Sequence, residues 1–286
     1  NNEYFQKDSI GNSLPYLEAV AITFLQDKQS EFLQFIQENL DFVSGLDDSY
    51  KDEVISSKGE LKQEYIDEIN LIRGPYLNTE YLAFYLESNK NEIKSEILRK
   101  AVNHGFDRNK MIKYLRNGIG IPANGGFIPM GLPGYSDKIG YTYNPDYAKE
   151  LISQYKRDFK EVPSLKLTTT SNYLVFCEFI QKELEKIGLQ IAIDVIPGAS
   201  LKEAKANGKL DFFRASWVAD YPDAENYLSL FYSKNFAPKG PNYTHFSDSE
   251  FDKLYESVLG ETSQNKREAL YRKMDSLIME KSIIIP

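Results

Sequence analysis

The chain has 286 residues, of which 42% are hydrophobic and 27% charged, and it contains 17 glycines and 12 prolines. This composition is typical of a globular protein of about two domains, and it excludes a disordered or collagen-like chain. The 34 lysines and arginines against 42 aspartates and glutamates leave a net charge of −8, which disfavours nucleic acid as a partner.

The first quarter of the chain is predicted to alternate strand, helix, strand, helix, strand over residues 14–75. Residues 18–25 are rich in β-branched and aromatic side chains, which predicts the first strand. A helix with one apolar face is predicted next, from the spacing of Phe32, Phe35, Ile36 and Leu40. Residues 73–75, Arg-Gly-Pro, then interrupt the pattern, because proline lacks an amide donor. We take this tripeptide as a candidate domain boundary.

Beyond the boundary, short apolar runs alternate with helical patterns. One helix is predicted from Ile93 to Val102, a second after Asp107, a third after Asn144-Pro145, and a fourth from about Tyr173 to Gly188. Strands are predicted at residues 81–86, 165–170, 189–196 and 210–217. Strands separated by helices indicate an α/β fold, with a sheet and helical crossovers.

One segment, residues 118–140, does not fit this pattern. It carries seven glycines and three prolines in 23 residues. Loops of this length in compact domains are usually functional or disordered. Both interpretations stay open here: a surface loop made of turn residues, or a loop that shapes the rim of a ligand site.

The residues that common enzyme sites need are mostly missing. His104 and His245 are the two histidines and stand in unrelated contexts, and Cys177 is the single cysteine, so no metal site is expected. Residues 118–123 formally match a dinucleotide-binding fingerprint, but a helix precedes them and Pro122 stands where a helix should begin. We therefore expect no cofactor and no catalytic activity.

The most informative stretch is residues 211–223, a strand followed by a turn. It places Trp217, the single tryptophan, and the carboxylates Asp220 and Asp223 at the C-terminal end of a strand, where α/β sheets bind ligands. In one interpretation Trp217 is core and an aspartate caps the next helix. In the other, an aromatic face beside a carboxylate binds an ammonium group. Both can hold, with Asp223 as the cap and Asp220 facing the ligand.

Five segments in collinear order resemble the extracytoplasmic solute-binding proteins of peptide ABC transporters, the oligopeptide and dipeptide binding family 5. They are residues 73–84, 98–108, 117–135, 143–145 and 217–223. The resemblance implies an α/β fold like that of type II periplasmic binding proteins, with one complete lobe and part of the other. It implies that residues 1–75 are the remainder of the first lobe, residues 76–282 the ligand-facing second lobe, and residues 283–286 the start of a strand returning to the first lobe.

The resemblance also implies roles for individual residues. In relatives of the oligopeptide type, the aspartate of the Trp-x-x-Asp motif binds the peptide α-ammonium, and this aspartate is similar to Asp220. Trp217 and Tyr221 are expected to pack beside it. Arg214 is similar to an arginine that can meet the peptide carboxylate.

These expectations describe a non-enzymatic, monomeric protein that captures short peptides and delivers them to a membrane permease. The family implies an extracytoplasmic location, in the periplasm or lipid-anchored as a lipoprotein. The first residues do not resemble a signal peptide, so we expect a piece of a longer protein with its signal segment absent. Two alternatives remain: an oligosaccharide binder of the same fold, or a fragment of a glycoside hydrolase with Asp220 and Asp223 as its carboxylate pair.

Overall fold

The fold comes from a computed structural model that describes residues 6–25, 27–46, 48–72, 74 and 76–286. The chain divides into two compact units. Unit 1 comprises Asn1–Ser56 and Glu60–Ile69, and unit 2 comprises Ser57–Gly59 and Asn70–Pro286. Within the predicted boundary tripeptide, Arg73 and Pro75 lie outside the described residues. The assignment of residues 1–75, 76–282 and 283–286 to lobes stays a prediction.

Unit 1 contains two α-helices among its described residues, α1 (Lys28–Ile36) and α2 (Asp48–Val54), and a 3₁₀ turn at Gln63–Tyr65. Helix α1 begins where the Asp27 carboxylate accepts a hydrogen bond from the Ser30 amide at 2.7 Å. A small core forms around three buried side chains, Phe32, Val54 and Ile55. The predicted helix is confirmed for Phe32 and Phe35, but it ends at Ile36, which is exposed, and Leu40 lies beyond it.

The strand predicted at residues 18–25 is wrong. These residues are irregular, and Val20, Ile22 and Phe24 are 74%, 75% and 92% exposed. The other strands predicted within residues 14–75 are also missing among the described residues, where we find only the isolated bridges Lys7–Ser13 and Ile55–Leu61. Strand propensity mostly reflects packing and pairing with a neighbour, and residues 18–25 pair with no strand in the described part of the chain.

Unit 2 is built on a mixed five-stranded sheet in the order β3-β2-β4-β1-β5. Its strands in chain order are β1 (Asn78–Phe84), β2 (Ser164–Thr169), β3 (Gln190–Val195), β4 (Phe212–Val218) and β5 (Ile284–Ile285). β2 runs parallel to β3 and β4, whereas β1 is antiparallel to β4 and β5. The four strands predicted after residue 76 are confirmed to within a few residues.

Each face of the sheet is covered by its own hydrophobic core. Side chains alternate along a strand, so Tyr81 and Phe213 enter one core while Leu82 and Phe212 enter the other. The helices that supply the rest of both cores are α3 (Asn91–Lys94), α4 (Glu96–His104), α5 (Arg108–Leu115), α6 (Pro145–Phe159), α7 (Leu174–Glu185), α8 (Gly198–Ala206), α9 (Glu225–Leu228), α10 (Ser249–Gly260) and α11 (Gln264–Glu280). The predicted α/β class is confirmed.

The helix predicted from Ile93 to Val102 is two helices. Ser95 has extended backbone angles between α3 and α4, and its hydroxyl accepts a hydrogen bond from the Leu98 amide at 3.3 Å. One continuous helix and two short helices give the same apolar spacing here, because Ile93 of α3 and Leu98 of α4 enter the same core. A serine that can cap a helix therefore ended the first helix where periodicity predicted continuity.

The glycine-rich segment is partly a core element. Phe127, Ile128 and Leu132 are buried in the core that also holds Tyr81. The carboxylate of Asp275 on α11 accepts hydrogen bonds from the amides of Phe127 (2.9 Å) and Ile128 (3.2 Å). The interpretation as a plain surface loop is wrong for this part of the segment, since three large apolar side chains anchor it.

Strand β5 is held by side chains as well as by pairing. Only Leu82–Ile285 and Ala83–Ile284 pair it with β1. Side chains around α4 and α5 donate hydrogen bonds to the backbone carbonyls of this part of the chain: Arg99 to Lys281 and Ser282 (3.1 Å each), Asn103 to Ile284 (3.1 Å) and Arg108 to Pro286 (2.6 Å). The short strand is therefore fixed to the helices on one face of the sheet.

Candidate functional site

The candidate site lies at the edge of the sheet where β2, β3 and β4 end. Thr169 and Val195 are register partners at the ends of β2 and β3, and Val218 at the end of β4 pairs with Asn78 at the start of β1. The turns that follow parallel strands meet at such an edge, which is where open α/β sheets bind ligands. The loops after β2 and β4 carry most of the polar groups described below.

Asn226 joins two of the predicted ligand-binding residues. Its buried side-chain oxygen accepts hydrogen bonds from the Trp217 indole nitrogen at 2.8 Å and from the Asp220 amide at 3.1 Å. Its amide nitrogen lies 3.5 Å from Asp220 Oδ2, at the limit of a hydrogen bond. Asn226 thus fixes the Asp220 backbone relative to the indole, while the residue itself stays exposed.

Tyr221 lies next to this pair and is 47% exposed. Its hydroxyl donates to the Glu225 carboxylate, which also accepts a hydrogen bond from Tyr255. Burial raises the pKa of Tyr221, and the Glu225 carboxylate raises it further. The hydroxyl is therefore engaged within the protein, and the ring remains the part that can pack against a ligand.

Asp223 has a structural role. Its carboxylate accepts hydrogen bonds from the Glu225 amide (2.8 Å), the Arg267 guanidinium (2.8 Å) and the Tyr271 hydroxyl (2.5 Å). Burial opposes ionisation of Asp223, but these three donors outweigh it and hold the pKa below its usual range. A carboxylate so fully engaged is poorly suited to work with Asp220 as a glycosidase pair.

Arg214 lies on the other face of β4. The odd-numbered residues Phe213 and Ala215 pack in the core that Trp217 contacts, while Phe212 packs in the opposite core. The Arg214 guanidinium forms an ion pair with Glu80 of β1 and lies 3.3 Å from the ring centroid of Tyr173. Burial lowers its pKa to about 10, so it remains a cation at neutral pH.

The four predicted residues therefore form two groups, one at the end of β4 and one on the other face of this strand, nearer its start. Trp217, Asp220 and Tyr221 cluster around α9, and Arg214 stands apart with Glu80 and Tyr173. The sequence analysis missed Glu80, Tyr173 and Asn226. Asn226 could have been found as the polar residue at the start of α9, six residues after Asp220, whereas Glu80 is 134 residues from Arg214 and has no local signal.

Among the residues that the structure describes, no cluster of three or more histidine, cysteine, aspartate or glutamate side chains is arranged to hold a metal ion. No helix in this part of the chain is long and apolar enough to cross a membrane.

Comparison with known proteins places this geometry in context. Residues 1–239 match the family described as bacterial extracellular solute-binding proteins, family 5 Middle. The dipeptide-binding protein of Escherichia coli (strain K12) is 28% identical over 213 residues, which cover 72% of this chain and 39% of that protein. Heme-binding protein A of Haemophilus influenzae is 27% identical over 226 residues, covering 76% of this chain and 40% of that protein.

A solved structure shows the same fold. The ABC transporter-associated periplasmic binding protein DppA from Helicobacter pylori, in complex with the peptide STSA, superposes with a TM-score of 0.78 at 24% identity. The match covers 92% of this chain and 49% of that one. The chain thus spans half or less of the length of these three relatives. The fold prediction, a type II periplasmic binding protein of which the chain is a part, is confirmed.

Proposed function

Because the chain belongs to the bacterial extracellular solute-binding proteins of family 5, we propose that it forms the ligand-capturing part of an ABC importer's binding protein. In this proposal the protein takes up short peptides outside the cytoplasm and delivers them to a membrane permease. It acts as a monomer and catalyses no reaction. It resides in the periplasm or is held at the cell envelope by a lipid anchor.

The peptide proposal rests on the exposed residue Asp220. Its backbone amide and the Trp217 indole donate to the same Asn226 oxygen, which groups the carboxylate-bearing residue with the aromatic ring. One relative is named for heme and another for dipeptides, so the family alone does not determine the ligand. A carboxylate next to an aromatic face suits an ammonium group, through a charge-assisted hydrogen bond and a cation–π contact. The free amino end of a peptide supplies that group.

The remaining predicted residues and segments fit around this anchor. Tyr221 offers its ring beside Asp220, and Arg214 lies on the other face of β4 with Glu80. Residues 76–282 form the ligand-facing lobe, residues 1–75 belong to the opposing lobe, and residues 283–286 return to it. Such proteins close over the ligand by a hinge, and ligand sites commonly bury about 70–90% of a small ligand's surface.

The test is isothermal titration calorimetry on the full-length protein with free and N-acetylated peptides. Asp220→Asn is expected to weaken binding of the free peptide by roughly 30-fold to several-thousand-fold, since removing one partner of an enclosed charge pair costs about 2–5 kcal/mol. N-acetylation of the peptide should weaken its binding to the wild type by a similar factor. It should weaken binding to Asp220→Asn only slightly further, because acetylation and the substitution abolish the same ion pair.

Asp146→Asn is the matched control, because this carboxylate is 90% exposed on α6. It should leave affinity unchanged. Unchanged affinity of Asp220→Asn for the free peptide would refute the amine anchor. Stabilisation of the wild type by oligosaccharides but not by peptides in a thermal-shift assay would instead favour the sugar-binding alternative.

A further inference from the structure

The guanidinium of Arg214 already has a carboxylate partner within the protein. Its Nη2 donates to Oε2 of Glu80, and its plane lies over the Tyr173 ring. The Arg214 side chain is only 13% exposed, whereas that of Glu80 is 34% exposed. The ion pair therefore lies partly below the surface, with the carboxylate on its outer side.

Glu80 is held in this position by its neighbours. Its Oε1 accepts hydrogen bonds from Asn78 Nδ2 at 2.9 Å and from the Tyr173 hydroxyl at 3.4 Å. The strand register adds a further constraint. Leu82 lies opposite Arg214, so Glu80 lies two residues nearer the edge of the sheet at which β4 ends. The carboxylate is thus fixed from β1 and from the loop after β2.

A guanidinium and a carboxylate form the pair by which proteins recognise the carboxyl end of a peptide. Here the protein itself supplies the carboxylate. Glu80 pairs with Nη2 of Arg214, so a ligand carboxylate that approached this guanidinium would either displace Glu80 or lie beside its negative charge. Like charges so close repel each other strongly, and the displaced Glu80 would lose its bonds to Asn78 and Tyr173.

We propose that Glu80 determines specificity as an internal substitute for a ligand carboxylate. The site then accepts peptides that carry no charged carboxyl group at Arg214, because their chain continues past it or ends in a neutral group. This inference rests on the proposed peptide-binding function. It names the class of peptide: ligands selected at the amino end, with no selection for a free carboxyl end at Arg214.

The experiment measures how the full-length protein distinguishes free-acid peptides from C-terminal amides. Alanine peptides of two to five residues are titrated in both forms against the wild type, Glu80→Gln, Arg214→Gln and the double variant. The readout is the ratio of the dissociation constants for amide and acid at each length. Contacts elsewhere in the protein affect the acid and the amide equally, so their contributions to the dissociation constants cancel in this ratio.

We expect the wild type and Arg214→Gln to give the same ratio within about twofold at every length. Glu80→Gln frees the Arg214 cation. The ratio should then rise about tenfold or more for the peptide length whose carboxyl end reaches Arg214, because a new ion pair with the free acid should strengthen its binding at least about tenfold. The double variant should return to the wild-type ratio. Glu80→Asp, with a shorter side chain, withdraws the carboxylate and provides a second test should Glu80→Gln fold poorly.

Three outcomes would overturn the inference. If the ratio is lower in Arg214→Gln than in the wild type, Arg214 binds the ligand carboxylate despite Glu80. A ratio that neither Glu80 variant raises means that Glu80 does not control the site. Failure of every peptide to bind refutes the proposed function and this inference with it, whereas binding that still depends on a free amino end leaves the proposed function intact.

Discussion

At the scale of single residues, Asn226 shows how one buried amide positions a site. Trp217 lies on a strand and Asp220 on the following turn, and two such segments could adopt many relative positions. Both donate to the same Asn226 oxygen, so their separation is set by one acceptor. The candidate anchor for an ammonium group is therefore organised before any ligand arrives, which reduces the entropy lost on binding.

Asp275 has an equally specific role within the core. Its two carboxylate oxygens each accept one amide hydrogen bond, from Phe127 and Ile128, and no cation is among the groups recorded beside it in the described part of the chain. Burial raises the pKa of Asp275 to about 7, although the two amides favour the ionised form. The proton is therefore bound more tightly in the folded than in the unfolded protein.

This difference predicts a pH dependence of stability. The stabilising contribution is complete below about pH 4 and is lost as the pH rises through about 7, because ionising the buried carboxyl group is costly. Relative to Asp275→Asn, the wild type should lose a few kcal/mol of unfolding free energy over this range, roughly 4 at most. Urea denaturation of both proteins at several pH values measures this difference. Parallel pH profiles would contradict the prediction.

At the scale of structural elements, the glycine-rich segment closes on itself through two glycines. A Cβ on Gly125 would lie 2.1 Å from the Ser136 carbonyl oxygen, and one on Gly140 would lie 2.1 Å from that of Asn124. Both contacts are with backbone atoms, which cannot rotate away. Residues 124–125 and 136–140 therefore approach as closely as they do because neither glycine has a side chain.

We expect Gly140→Ala to destabilise the protein by about 1–3 kcal/mol or more, since overpacking against backbone forces the segment to shift. Gly198→Ala is the matched control. It is the first residue of α8, and a Cβ there meets nothing within 4 Å. The control should be neutral or slightly stabilising. Thermal denaturation followed by circular dichroism compares the two, and equal melting temperatures would count against the role of Gly140.

The sequence predicts elements well where the signal is local. Strand β4 and the cap of α5 at Asp107 were predictable because the β-rich run and the capping aspartate are themselves the cause of the structure. Residues 18–25 carry the same kind of β signal but pair with no strand in the described part of the chain. Propensity does not specify a partner, and so the prediction failed there.

The same limit applies to the candidate site. Trp217, Asp220 and Tyr221 stand within five consecutive positions at the end of one strand, so a motif could identify them together. Glu80 reaches Arg214 only because β1 pairs antiparallel with β4. No spacing in the sequence encodes that register. The partner that decides whether Arg214 is available was therefore visible only in the structure.

At the scale of the whole molecule, the two units have separate cores. Among the described residues, the core of unit 1 consists of three buried residues and a few partly buried ones. Unit 2 has two extensive cores, one on each face of its sheet. Stability scales with buried apolar area, so most of the folding free energy resides in unit 2.

Residues 70–286 should therefore fold without the preceding residues. We expect this polypeptide to unfold in one cooperative thermal transition near the principal transition of the 286-residue chain, and to retain near-ultraviolet circular dichroism from its packed aromatic side chains. A polypeptide of residues 1–69 serves for comparison and should show no cooperative transition, since its core is small. A non-cooperative transition in residues 70–286 would show that its cores depend on unit 1.

The side-chain hydrogen bonds that hold β5 have a mechanical consequence. Arg99, Asn103 and Arg108 bond to carbonyls along residues 281–286, so tension applied at Pro286 would load these side chains together with the two strand pairs. A strand held only at its edge peels off one bond at a time, whereas bonds spread along the chain share the load. Force at this point would thus be transmitted into both α4 and α5 as a displacement of the helices rather than dissipated by local fraying.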